Sequence, residues 1–228
     1  KDMLHWTWQP TKLQPAFTGH GMFSGTGFIT KEGLPAVIYH GFGSGRNQIA
    51  IAKNRKLYAW GKPYPVKVQT PEGGEPDMRH WDPDCFLIDE TYYGISGGKK
   101  PPVFKSKDLK HWTLIGDFLK HEMPDVAIGE DISCPNFFPL GDKWMLLCIS
   151  HPLGCRYYLG DWNKETEQFE PEKHGRMNWR REDQNIYKTN YRDFFAPESV
   201  LTPDGRRVMW AWLATLNDQL MQETIQSL

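Results

Sequence analysis

The sequence predicts an all-β fold of β-propeller type, with antiparallel blades, on three observations. Four stretches share one order: a short apolar run, a tight polar turn, then a second apolar run. Their turns recur about every 50–60 residues, the spacing of propeller blades. Short β-branched and aromatic runs dominate, while 21 Gly and 17 Pro are scattered closely enough to interrupt any long helix. A hairpin repeated in this way cannot bury its own faces, so the units must pack about a common axis.

The first unit runs from Gly27-Phe28-Ile29 through Glu32-Gly33 to Ala36-Val37-Ile38-Tyr39. The second joins Cys85-Phe86-Leu87-Ile88 to Tyr92-Tyr93-Gly94-Ile95 through Asp89-Glu90. In the third, Phe137-Phe138 and Trp144-Met145-Leu146-Leu147 flank Gly141-Asp142, and in the fourth Val200-Leu201 and Val208-Met209-Trp210 flank Asp204-Gly205. A further echo links Lys1-Asp2-Met3-Leu4-His5-Trp6-Thr7 to Lys107-Asp108-Leu109-Lys110-His111-Trp112-Thr113. Gly41–Gly45, Gln69–Pro76 and Glu170–Gly175 read as loops. Only the tail, Leu216 to Leu228, has helix-compatible spacing. Residues 1–228 are expected to form a single domain.

Charge narrows the partners. Lys plus Arg number 27 against 28 Asp plus Glu, so the chain lacks the electrostatic footprint of a nucleic-acid or anionic-membrane binder. No apolar run approaches the ~20 residues of a membrane span. A neutral carbohydrate is the expected partner, with no metal and no cofactor. The four cysteines, Cys85, Cys134, Cys148 and Cys155, show no metal-ligand spacing and read as buried free thiols, although Cys134 and Cys148 flank the third turn symmetrically. Aromatic residues reach 14% with 10 Trp; most serve the core, leaving one or two in loops as sugar platforms.

Chemistry is expected at the strand entrances, because the first strand of each blade lines the central channel. These entrances are Gly21–Gly25, Arg79–Asp84, Gly129–Asn136 and Arg192–Ser199, and three of the four carry carboxylates. Convergent carboxylates suit cleavage of a glycosidic bond, where one acid protonates the leaving oxygen and a second carboxylate attacks or steadies the oxocarbenium-like carbon. Each also has a structural reading: Asp before Pro starts turns, and Glu130, Asp131 and Glu198 suit solvated corners or outward strand positions.

At these residues the chain resembles glycoside hydrolase family 32, the invertase, inulinase and levanase group. Lys1–Trp6 is similar to that family's S-x-D-L-x-H-W stretch, Phe23-Ser24-Gly25-Thr26 to its FSGS motif, and Trp81-Asp82-Pro83 to its RDP motif. Ser133-Cys134-Pro135-Asn136-Phe137-Phe138 resembles ECPDFF, and Asp193–Ala196 with Asp204–Leu213 resembles DFYA…DxxGRRIxWGWL. Gln226-Ser227-Leu228 resembles the start of QSLPREL. The resemblance implies a five-bladed propeller, incomplete in this chain, and retaining hydrolysis of β-fructofuranosides such as sucrose or fructans. It also implies a nucleophilic aspartate in an NDPNG segment ahead of Lys1.

Two departures stand out: Trp81 replaces the RDP arginine, with Arg79 two residues back on the same strand face, and Ser133 replaces the acid/base glutamate. The expected catalytic residues are therefore Asp82, holding sugar hydroxyls and stabilising the transition state, and Glu130, ahead of Asp131 and Glu198, as acid. Phe23, Ser24, Trp81, Arg79, Ser133 and Glu198 are expected to contact substrate. Two alternatives remain open: a propeller glycosidase acting on other furanosides such as arabinosides, and a non-catalytic sugar-binding propeller.

Overall fold

The structure is a computed structural model that describes residues 3–126, 129–152, 154–177 and 194–213. A one-turn helix, α1 (Pro15–Thr18), precedes a first antiparallel sheet of β1 (Gly21–Ile29), β2 (Pro35–Phe42), β3 (Arg46–Ile51) and β4 (Tyr64–Pro65). The second sheet contains β5 (Val68–Gln69), β6 (Pro83–Ile88), β7 (Thr91–Ser96), β8 (Pro102–Ser106) and β9 (Trp112–Asp117). The third is β10 (Ser133–Leu140), β11 (Lys143–Ser150), β12 (Gly154–Asn163) and β13 (Gln168–Arg176); the fourth pairs β14 (Phe194–Leu201) with β15 (Arg207–Leu213). All four sequence-predicted hairpins are present, and each forms the strand pair at one end of its sheet.

The first strands lie side by side: β1 packs on β6, β6 on β10, and β10 on β14. Apolar side chains then fill the spaces between sheets. Ile38 and Ile49 of the first sheet meet Cys85, Tyr92, Phe104 and Trp112 of the second. Phe86, Tyr93 and Ile95 meet Phe137, Leu146, Tyr158 and Phe169 of the third, and Phe138, Leu147 and Cys155 receive Phe194 and Met209 of the fourth. Each sheet thus buries its faces only against its neighbours, the packing that the repeat requires.

The echo between the first residues and Lys107–Thr113 is a real local structure. Leu109 adopts φ 64°, and the Trp112 indole donates to its carbonyl at 3.0 Å. Met3 with Trp6 repeats this at φ 62° and 3.1 Å, and Leu57 with Trp60 at φ 62° and 3.2 Å. Among the described residues this outer turn occurs three times.

Some expectations change. Glu170–Gly175 is not a loop but lies within β13, paired with β12 through a register shift at Leu159/Gly160. Its polar residues and Pro171 are tolerated because β13 is an edge strand. Gly41 and Phe42 belong to β2 and Gln69 to β5, so those two loops are shorter than their composition suggests. Cys85, Cys148 and Cys155 are buried and outside any disulfide, whereas Cys134 is a half-buried thiol. Cys134 falls in the register shift between Ser133 and Asn136, which takes it out of line with Cys148. The tail expected to be helical lies outside the described residues, as do Lys1, Asp2, Asp193 and Gln226–Leu228. Among the described residues no sheet closes on itself.

Candidate active site at the strand entrances

The entrances share one backbone device. Asp82, Cys134 and Ala196 all take left-handed φ values, 35°, 44° and 50°. Pairing shifts by a residue between Ser133 and Asn136 and between Phe195 and Glu198; in β1 a like shift between Met22 and Gly25 spans Ser24. At Asp82 the Gly97 N–H is shared by the carbonyls of Trp81, at 2.7 Å, and Asp82, at 3.2 Å. Such bulges turn a side chain out of the sheet's alternation. Left-handed non-glycine backbone costs of order 1–3 kcal/mol and persists where neighbours over-determine it. Gly97 is part of that enforcement, since a Cβ there would lie 2.9 Å from the Ile132 carbonyl oxygen and 3.2 Å from Asp82 Cβ.

The bulges bring three entrances together. Asp82 Oδ2 accepts the Cys134 backbone N–H at 3.0 Å, and the Cys134 thiol lies 3.6 Å from the same oxygen and 3.8 Å from Ser24 Oγ. Burial, then the Asp82 charge, pushes that thiol up to about 12, so it stays a donor. Among the described residues no donor reaches Asp82 Oδ1.

Two residues further along, Asp84 is wholly buried. Its Oδ1 accepts from Thr26 Oγ1 at 2.5 Å and Cys85 N at 2.8 Å, and its Oδ2 from Phe137 N at 2.6 Å. Burial outweighs these donors and moves Asp84 up to about 6. Glu198 stands at the matching place on β14. Burial, then the charges of Asp84 and Asp82, push it up to about 9, so it is protonated near neutrality.

Phe23, Trp81 and Arg79 form a second group. Phe23 is stacked on Phe42 at 4.5 Å and meets Trp81 edge-on at 6.3 Å, while the Arg79 guanidinium covers the Trp81 ring at 4.7 Å. Buried Ser96 fixes the backbone of this segment, donating to the carbonyls of Arg79 and Trp81 and accepting from Trp81 N at 2.8 Å.

The third group surrounds Ser133, whose hydroxyl donates to Asp131 Oδ2 at 2.8 Å. Asp131 also accepts His151 N at 2.8 Å and bonds His151 Nδ1 at 2.6 Å. Burial alone would raise Asp131, but the His151 and Ser133 hydrogen bonds together hold it below the usual range. The His151 side chain is half exposed, with its ring 6.2 Å from Phe195.

Glu130 is placed differently. Its carboxylate pairs with Arg156 Nη1 at 2.5 Å and Arg176 Nη2 at 2.6 Å, with the Glu130 and Arg156 side chains 2% and 1% exposed. Arg156 continues to His174 Nδ1 at 2.9 Å, which binds Asp125. Burial would raise Glu130, yet the Arg176 hydrogen bond and both guanidinium charges hold it low. A carboxylate held ionised by two arginines is poorly suited to donate a proton near neutral pH.

Sequence reasoning missed Asp84, Cys134 and His151. The first two have a signal: Trp81-Asp82-Pro83-Asp84, Ser133-Cys134-Pro135-Asn136 and Phe195-Ala196-Pro197-Glu198 align through their prolines. That alignment matches Asp82 with Cys134, not with Ser133. His151 has no motif; only the end of β11 brings it to Asp131.

Known proteins share this chain's sequence pattern and fold. The glycosyl hydrolases family 32 N-terminal domain matches residues 1–226. A sucrose-6-phosphate hydrolase of Salmonella typhimurium is 26% identical, over 99% of this chain and 51% of its own length. The β-fructofuranosidase insoluble isoenzyme 1 of Oryza sativa subsp. indica is 25% identical, over 93% and 41%. The chain therefore spans about half the length of these relatives. Among solved structures, a sucrose-6-phosphate hydrolase from Lactobacillus gasseri superposes with a TM-score of 0.63 at 18% identity, covering 88% of this chain and 43% of that one. The likeness is one of fold.

Proposed function

Since the chain belongs to glycosyl hydrolase family 32, we propose that the full-length protein hydrolyses β-fructofuranosides, with Asp82 as the carboxylate that holds and stabilises the sugar. The observation that carries this reading is the state of Asp82: Oδ2 is anchored by the Cys134 N–H while Oδ1 has no donor among the described residues. A fixed, pre-oriented charge stabilises a developing oxocarbenium without reorganising during the reaction. The fold is read as a five-bladed propeller, with β1, β6, β10 and β14 as four of its inner strands. Ser24 offers a hydroxyl to the sugar, and Phe23 and Trp81, capped by Arg79, offer an apolar wall to its C–H face.

The retaining reaction needs a proton for the leaving oxygen and a nucleophile at the anomeric carbon. Ser133 is too weak an acid, and Glu130 is spent on Arg156 and Arg176. The acid we assign is His151. Asp131 holds Nδ1 and orients the ring, and Nε2–H passes its proton to the glycosidic oxygen as the C–O bond breaks. Neutral His151 then takes a proton from the water that hydrolyses the glycosyl intermediate. Asp131 keeps a site role as the residue that positions His151, and Ser133 supports Asp131. The nucleophile is the aspartate of the NDPNG-like segment implied by the family resemblance.

His151→Gln tests this assignment in the full-length protein. Turnover of an ordinary fructoside is expected to fall about 10²–10⁴-fold, the usual contribution of a general acid. A fructoside whose leaving group needs no proton should lose less than about tenfold. Equal losses on both substrates, or none, would place the acid elsewhere. The serine at position 133 favours a second reading, a non-catalytic fructoside-binding propeller; binding of both substrates without fructose release would establish it.

A further inference from the structure

Neighbouring inner strands are tied by a repeated side-chain link. Asp84 lies two residues after left-handed Asp82, and its Oδ2 accepts the backbone N–H of Phe137 on β10 at 2.6 Å. Asn136 lies two residues after left-handed Cys134, and its Oδ1 accepts the backbone N–H of Ser199 on β14 at 3.1 Å. The donor in each case is one residue beyond the next strand's own acceptor position: Phe137 follows Asn136, and Ser199 follows Glu198. Glu198, two residues after left-handed Ala196, is the third acceptor position, and among the described residues no donor reaches its carboxyl.

An independent repeat points to the same place from outside the ring. After each outer turn the chain runs onto the outer strand of the next sheet. Following Trp60, Val68 and Gln69 pair in parallel with Trp112 and Thr113; following Trp112, Leu119 bridges Phe169 in parallel. Following Trp6, residues Thr11–Phe17 share a cleft with Tyr58, Ala59 and Trp60. By this rule the turn at Met3–Trp6 belongs to a blade that precedes the β1–β4 sheet. That turn also shares a cleft with Thr202, Pro203, Asp204 and Arg206 of the β14–β15 hairpin. Trp112 is 2% exposed beneath its own sheet, whereas its counterpart Trp6 is 75% exposed. One further set of inner strands would cover both places.

We propose that Glu198 is an inter-blade latch, the third of a series with Asp84 and Asn136, whose partner is the backbone N–H of a fifth inner strand supplied by the full-length protein outside these 228 residues. That the chain spans about half the length of its curated relatives makes such a segment the natural occupant. The series also describes the partner. Proline precedes the acceptor in all three strands (Pro83, Pro135, Pro197), so the fifth strand should carry proline two residues before its donating N–H. A glutamate rather than Asp or Asn at the third position gives the latch a longer reach. The inference rests on the propeller reading and is independent of the catalytic assignment to His151.

The test is hydrogen–deuterium exchange on the full-length protein with Glu198→Gln and Glu198→Leu. Gln keeps an oxygen acceptor, as Asn136 does, and should preserve protection. Leu removes it and should speed exchange by about tenfold or more in one strand outside residues 1–228, with Trp6 more accessible to quenchers. Asn136→Leu is the control and should expose the Ser199 amide. Unchanged protection in Glu198→Leu, equal loss in Gln and Leu, or a protected segment that proves to belong to a second copy would overturn the latch. Should Glu198→Leu not fold, wild-type exchange decides: a fast-exchanging amide at every position following a proline by two residues outside the 228 residues contradicts it.

Discussion

Asp82→Asn in the full-length protein is expected to lower kcat on a β-fructofuranoside by about 10²–10³-fold, the loss typical of a pre-oriented electrostatic group. The amide nearly matches the carboxylate in volume, and it can still accept the Cys134 N–H through its oxygen. The bulge and the β6–β10 contact should therefore survive, and thermal stability should change little. Only the charge facing the sugar is removed. Fructose-release kinetics beside a melting curve would separate the two effects. Near-normal turnover would leave Asp82 as a bulge residue that happens to precede proline.

Glu130→Gln should do the opposite, acting on stability first. The substitution leaves Arg156, 1% exposed, as a buried cation with a neutral partner, and breaking a buried pair in this way costs about 3–5 kcal/mol. The pH dependence has a definite sign. Because the native Glu130 pKa lies below its ordinary value of 4.5, the stabilisation is fully present above pH 4.5 and is lost as pH falls through the native pKa. The gap between wild type and variant should therefore be wide at neutral pH and narrow in acid. Denaturant unfolding at two pH values measures it. A variant as stable as wild type at pH 7 would mean that the Arg156–Glu130–Arg176 network carries no net stabilisation.

Much of this fold is legible because it repeats. The four hairpins follow from apolar runs and turn residues, signals that depend on neighbours in sequence. β13 is hidden because its outer-edge residues, Glu170 to Gly175, are as polar as a loop and are held by pairing with β12 rather than by an apolar face. The site is legible only in part, for the same reason. Phe23, Ser24, Asp82 and Ser133 are readable from motifs next to the strand entrances. Whether a carboxyl is protonated depends on what surrounds it in space: Glu130 and Glu198 look alike in sequence, yet two arginines hold one low while burial and two carboxylates push the other up to about 9. His151 joins the site only through the end of β11, a relation that no local pattern encodes.

Fructose release by the wild-type full-length protein from a β-fructofuranoside, followed beside the same assay with Asp82→Asn and with an α-arabinofuranoside, tests the central reading most directly. The reading predicts steady fructose release by the wild type, a loss of about 10²–10³-fold in Asp82→Asn, and no comparable turnover of the arabinoside. Saturable fructoside binding with no fructose released above the Asp82→Asn background would contradict it and leave a sugar-binding propeller.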